Sequence, residues 1–390
     1  MSLLMLRYMV LLVCCTLVAS STFNPWQTHS PNARLAQLSV LKRSPHSFYL
    51  DVQRAKLRLP ELPDDTVLAL RQLGHPEAAF EWALRQARHG ELHAALLLAS
   101  AHWETVSLQS QRRLLESLIF AEALPEVQQL ASQFTLPQPY RTLSRIMQGV
   151  SASALSSADL QALNIKTVDE ISWGSAQCAR RVAMLSDSWA GLKKLQQLKT
   201  QYLAAPLPYS GSYCFADPVY LGTDLQCRLK AQKFAYCDLS ILPGRAKWSS
   251  ADHLVLMTEH GDANVSRGVM TLSLSSDYKV FIHELMHFSG FEDEYAIGKA
   301  KAHRLCATPG HKAPNLYVGH QPPDGWYPSR SCEAGLLPAF KPQQAMSNMQ
   351  YQSLALTTRY KALWLLAFQQ QRNKPTDFQQ FIQVRLAANG

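Results

Sequence analysis

Apolar and polar positions change rhythm once along this chain. From about 60 to 150 the apolar residues recur at helical spacing, as in Ala78, Ala79, Trp82 and Ala83, and again in Ala94, Ala95, Leu98 and Ala99. Asp64 or Asp65 opens a helix that Gly74 ends, Pro76 opens the next, Gly90 closes it, and Glu91 to Ala101 follows. Further helices are expected near 107–123 and 125–134. Small residues recurring about every 16 positions suit helical hairpins stacked as repeats, and an irregular bundle fits equally well.

Ser151 to Ser157 is small and polar, so 151–174 reads as a linker into a second half. There the periods mix. Arg181 to Leu185 suits a strand and Trp189 to Leu203 a helix, with short strands near 213–220, 234–241 and 253–258. Val265 to Leu274 reads as one strand along a cleft. Tyr278 to Phe288 holds no Gly or Pro and is apolar nearly all round, which predicts a buried helix capped by Ser276 or Asp277 and ended by Gly290. Thr308 to Lys341 is rich in Pro and Gly and reads as a long loop walling the cleft. Two helices near 353–371 and 376–387 close the chain. The fold class expected is α+β, with a helical domain over 60–150 and a mixed domain over 175–390.

The buried helix carries the chemistry. His283 and His287 stand four apart, so both imidazoles leave one face, and Glu284 lies beside them. Two neutral nitrogens can hold a zinc ion and leave the neighbouring carboxylate poised over a metal-bound water. Gly290 can turn the chain back so that Asp293 becomes a third ligand, leaving one position of a tetrahedral ion open. Glu292 and Glu294 flank Asp293 and remain alternative ligands. Buried imidazoles and a carboxylate are costly to desolvate without partners, and a metal supplies one.

The stretch His283-Glu284-Leu285-Met286-His287-Phe288-Ser289-Gly290-Phe291-Glu292-Asp293 resembles the metzincin zinc peptidases, in the branch where Asp replaces the usual third His. Asp293-Glu294-Tyr295 is similar to the IgA-peptidase-like family and, more distantly, to the snapalysins. That resemblance implies a small twisted mixed sheet ahead of the active-site helix, with an edge strand that pairs with extended substrate. It also implies a Met-turn, matched here by Ser347-Asn348-Met349-Gln350-Tyr351. By resemblance Met349 forms the floor beneath the ligands, with Met346 as its rival, and Tyr351 approaches the ion or the developing oxyanion. The activity implied is peptide-bond hydrolysis with one catalytic Zn2+ held by His283, His287 and Asp293, and with Glu284 as general base and then acid. The resemblance covers roughly 175–370, and the N-terminal third shares none of it.

Composition adds a compartment. Arg7, the apolar run Tyr8 to Val18 and Val18-Ala19-Ser20 read as an export signal over 1–20, and the run is short for a membrane span. An uncleaved signal would instead tether the protein to a membrane. A locally basic segment follows over 21–59. The formal charge of +9 falls only to +8 without the first twenty residues, and its spread along the chain with no accompanying motif argues against a nucleic-acid partner. Cys178, Cys214, Cys227, Cys237, Cys306 and Cys332 remain after the signal, an even number that suits disulfides in a periplasmic or extracellular protein. Cys306 with Cys332 is the pair expected to brace the long loop.

The partners expected are a polypeptide substrate at the zinc site and a protein on the helical domain. Two other functions fit the same residues: a degenerate peptidase fold serving as a binding scaffold, or a zinc hydrolase of non-peptide or cell-wall amides.

Overall fold

Proline and glycine bound the first two helices of the first unit. The computed structural model describes residues 59–168, 171–173, 178–230, 233–240, 242 and 250–389, so the expected signal and nearly all of the basic segment lie outside the described residues. The chain divides into two compact units between Pro137 and Gln138. In the first, α1 (Asp64–Gln72), α2 (Pro76–Arg88), α3 (Leu92–His102), α4 (Leu108–Phe120) and α5 (Leu124–Gln133) follow one another through short turns. Gly74 and Gly90 take φ of 80° and 84°, the left-handed conformation that ends a helix cheaply only at glycine. The apolar stripe of α2, with Ala79, Phe80, Ala83 and Leu84, is buried where α2 packs on α1, α3 and α4. Trp103 stacks on Phe134 in the same core.

The second unit opens with α6 (Tyr140–Met147) and α7 (Ser157–Ala162). The sequence boundary at 150 therefore falls within this unit. Its small polar run is anchored rather than free: the Tyr220 hydroxyl donates to the Val150 carbonyl at 2.6 Å, and Ser151 and Ser153 bond Asp224.

A mixed sheet forms the centre of this unit. It is built from β1 (Arg180–Ser186), β2 (Tyr213–Phe215), β3 (Val219–Tyr220), β6 (His253–Thr258), β7 (Asn264–Ser266) and β8 (Val269–Ser273), while β4 (Arg228–Lys230) and β5 (Phe234–Tyr236) make a separate hairpin pinned by Cys227–Cys237. The strand order is β2-β1-β6-β8-β7, with β3 also on β1. All neighbours are parallel except β7, which runs antiparallel to β8 at the edge. β1 and β6 are apolar runs because both faces are covered. Val182, Met184, Val255 and Met257 face one core, with α8 (Trp189–Ala204) and α9 (Tyr278–His287); Ala183, Leu185, Leu254 and Leu256 face the other, with Phe378 and Ile382 of α12 (Asp377–Asn389). The alternation is the period of two of a strand, read on two buried faces.

Two expectations need correction. Val265 to Leu274 is a hairpin rather than a single strand, because Arg267 and Gly268 take φ of 52° and 69°, the paired left-handed conformation of a two-residue type I′ turn. The expected loop over Thr308–Lys341 contains a four-stranded sheet of order β11-β12-β10-β9, made of β9 (Gly310–Ala313), β10 (Leu316–Val318), β11 (Tyr327–Ser329) and β12 (Ala339–Lys341). Its strands have three or four residues, too few for alternation to show among the prolines and glycines. A small core of Ala302 from α10 (Lys299–Leu305), Leu316, Val318 and Ala339 surrounds the Cys306–Cys332 disulfide, as expected of that pair. Cys178–Cys214 completes three disulfides. The last long helices are α11 (Thr358–Gln371) and α12. No helix among the described residues is long and apolar enough to cross a membrane.

Candidate metal centre

Asp277 starts α9 by accepting a hydrogen bond from the Val280 amide at 2.9 Å, and Gly290, at φ 78°, turns the chain back after it. Phe281 and Leu285 are buried in the sheet core, which fixes the helix roll and brings His283 and Glu284 to a buried position.

Both imidazoles are oriented by main-chain carbonyls. His283 Nδ1 lies 2.8 Å from the Asn348 carbonyl and His287 Nδ1 lies 2.7 Å from that of Phe291. A carbonyl can only accept, so each Nδ1 carries the proton, and a neutral ring then presents a lone pair at Nε2. The two Nε2 atoms are 3.3 Å apart, and each lies 3.2 Å from Asp293 Oδ1. Tetrahedral zinc with bonds of about 2.0–2.1 Å separates its ligand atoms by about 3.3 Å. The triangle has that size. Asp293 Oδ1 is buried with no hydrogen-bond partner among the described residues. Three electron-pair donors converging without a donor between them repel unless a cation joins them, so these residues fit a zinc ion.

A proton can take part of that place. Burial would depress His287, but the Asp293 carboxylate outweighs it and lifts the imidazole to about 9. Burial likewise pushes Asp293 up, and the two histidines more than reverse it, holding the carboxyl far below its usual range. Glu284 is buried beside them, with Oε1 4.0 Å from His283 Nε2 and 3.4 Å from Gln352 Nε2. Burial raises its carboxyl.

The neighbours of Asp293 have other tasks. Glu292 pairs with Lys301 at 2.6 Å. Glu294 is buried away from the triangle, where it accepts from the Tyr360 and Ser347 hydroxyls and from Asn315 Nδ2 at 2.9 Å, with Lys341 Nζ at 3.9 Å. Its amide donates to the Met349 carbonyl at 2.9 Å. Asn315 also clasps the Glu292 backbone in both directions, and the Ser331 hydroxyl donates to the Asp293 carbonyl at 2.6 Å. The segment carrying Asp293 is thus held from the small sheet and from the 347–349 strap together.

Met349 is fully buried in the core with Met286, whereas Met346 is 58 % exposed. Tyr351 is 48 % exposed, and its described bonds are main-chain ones, from its amide to the Ser347 carbonyl and from the Leu354 amide to its own carbonyl. The phenol beside Asp293 is that of Tyr295, raised by burial and then by that carboxylate. Sequence reasoning missed the positioning work of Glu294, Asn315 and the Asn348 carbonyl. The acidic pair in Asp293-Glu294-Tyr295 was the available signal, since one of two adjacent carboxylates on an extended segment must point away from a shared ion. A cleft of about 350 Å³ adjoins the site, lined by Lys233, Phe234, Ser276, Val280, Tyr295 and Gln352.

Comparison with family models, with curated proteins and with solved structures gives no match.

Proposed function

We propose that this protein is a zinc-dependent endopeptidase of metzincin-like design. The observation that carries the reading is the triangle of His283 Nε2, His287 Nε2 and Asp293 Oδ1, with sides of 3.2–3.3 Å. Zinc, when bound there, supplies a Lewis acid for the scissile carbonyl and acidifies water. Glu284 takes the proton of the attacking water and delivers it to the departing amine, a role suited to a carboxyl raised by burial. β7 ends the sheet, and among the described residues its outer edge offers unpaired backbone groups to an extended polypeptide. Gln352 Nε2 donates to Glu284 Oε1 at 3.4 Å. Three disulfides suit an oxidising compartment, in keeping with export.

Glu284→Gln tests the reading. The variant should bind one zinc per chain as the parent does and lose peptide cleavage by about 100-fold or more. Cleavage at the parent rate would overturn the assignment.

A further inference from the structure

A second pocket, of about 450 Å³, opens next to the metal centre and shares His287 with it. Val265 of the edge strand β7 forms another part of its wall, so a chain lying along β7 passes over both. Its charged lining is Arg180, Arg267, Lys301 and Lys374 against Glu292 and Asp377, a surplus of two positive charges.

Two of these cations are already used. Arg180 holds Asp252 at 3.2 Å and donates to the carbonyls of Gln371 and Lys374, while Lys301 holds Glu292. Arg267 and Lys374 are exposed and pair with no carboxylate among the described residues. Arg267 is also fixed in place. It sits in the type I′ turn, and a Cβ on the adjacent Gly268 would come within 2.7 Å of the Phe378 amide, so the turn is pressed onto the start of α12.

The pocket also holds an unmet polar group. His253 lines it, is 3 % exposed and stacks on Phe288 at 4.0 Å, and its Nδ1 has no hydrogen-bond partner among the described residues. Buried polar atoms are rarely left so without a function or a ligand.

We propose that this pocket binds an acidic side chain of the polypeptide substrate, and so sets a charge preference a few residues from the cut bond. The inference rests on the peptidase reading. Two unpaired cations and the surplus of positive charge match a carboxylate, and they disfavour Lys or Arg at the same place. The link to β7 and His287 makes the carboxylate part of a bound chain rather than a free anion, since alternate side chains of an extended strand return to one side every second residue.

The test uses quenched peptides carrying Glu, Gln or Lys at each position within about four residues of the cleaved bond. At one position the parent should prefer Glu over Gln by about tenfold in kcat/KM and disfavour Lys. Arg267→Glu with Lys374→Glu should invert that order. A flat profile, or a preference that survives the double charge reversal, would overturn the proposal. Binding of the same peptides to Glu284→Gln protein, followed by fluorescence anisotropy, separates the two readings. If nothing is cleaved but Glu peptides bind about tenfold tighter than Gln peptides and lose that advantage in the double variant, the pocket stands and the peptidase reading falls. Equal binding of Glu and Gln peptides sinks the pocket.

Discussion

His283 places its Nδ1 2.8 Å from the main-chain carbonyl of Asn348, sixty-five residues further along the chain. The bond joins the buried helix to the strap whose Met349 packs beneath it, and it fixes which nitrogen of His283 faces Asp293. Outer partners of this kind hold a ligand ring in the one tautomer that can donate to a metal.

The strap is itself held by Glu294. Replacing Glu294 with Ala leaves Lys341 without its buried counter-charge and leaves the Tyr360, Ser347 and Asn315 donors unpaired. Stability should fall by about 3–5 kcal/mol, read from urea unfolding of the metal-free protein. Glu294→Gln keeps an acceptor for these donors and should lose less. If Glu294→Ala unfolds at the parent midpoint, the network is not what anchors the strap.

Asp293 should govern metal affinity. Asp293→Asn preserves the side chain's shape but removes the charge that faces both Nε2 atoms at 3.2 Å. Zinc affinity, measured by competition with a chromophoric chelator, should weaken at least about tenfold with the circular dichroism unchanged. Parent-like affinity would remove Asp293 from the ligand set.

Buried His253 should make the metal-free fold acid-sensitive. Burial, with Arg180 nearby, lowers its imidazole to about 3. The unfolded chain binds that proton below about 6.5 while the folded one refuses it, so this contribution is whole above pH 6.5 and is lost as pH falls toward 3. The loss approaches about 1.4 kcal/mol per pH unit within that window. Urea unfolding at pH 7 and pH 4 in the presence of chelator should show a smaller drop for His253→Phe than for the parent. Equal drops would mean that other groups carry the acid response.

The Cys306–Cys332 bridge should stabilise the fold and support the site. It spans 26 residues and adjoins Ser331, whose hydroxyl holds the Asp293 carbonyl. Exchanging both cysteines for Ala should cost about 3 kcal/mol and weaken zinc binding. Gly335 packs against the same bridge, where an added Cβ would lie 2.6 Å from Cys306 Cβ, so Gly335→Ala should also lower the unfolding midpoint. Unchanged zinc affinity in the double Ala variant would separate the bridge from the metal centre.

Long elements with a strong period were legible from the residues. The helices bounded by Pro76, Gly90 and Gly290 stand within a few residues of their expected limits, and so does the strand begun at Arg180. The hairpin at Arg267-Gly268 was not read, because a turn of two residues interrupts the apolar run too briefly to show as a break. The small sheet of β9 to β12 escaped for a related reason: strands of three or four residues carry less pattern than the prolines and glycines between them.

The sequence by itself determined that two imidazoles and a carboxylate share one turn of a buried helix, because residues four apart on a helix have no other arrangement. It also determined which cysteines were available to pair. Only the tertiary structure decided the rest. Asp293, rather than Glu292 or Glu294, lies against the two Nε2 atoms, and Met349 rather than Met346 is buried beneath. Those choices depend on how a segment after Gly290 is clasped by Asn315, Ser331 and the 347–349 strap. Contacts between residues tens of positions apart leave no period in the chain, and they exist only once the core has closed around them.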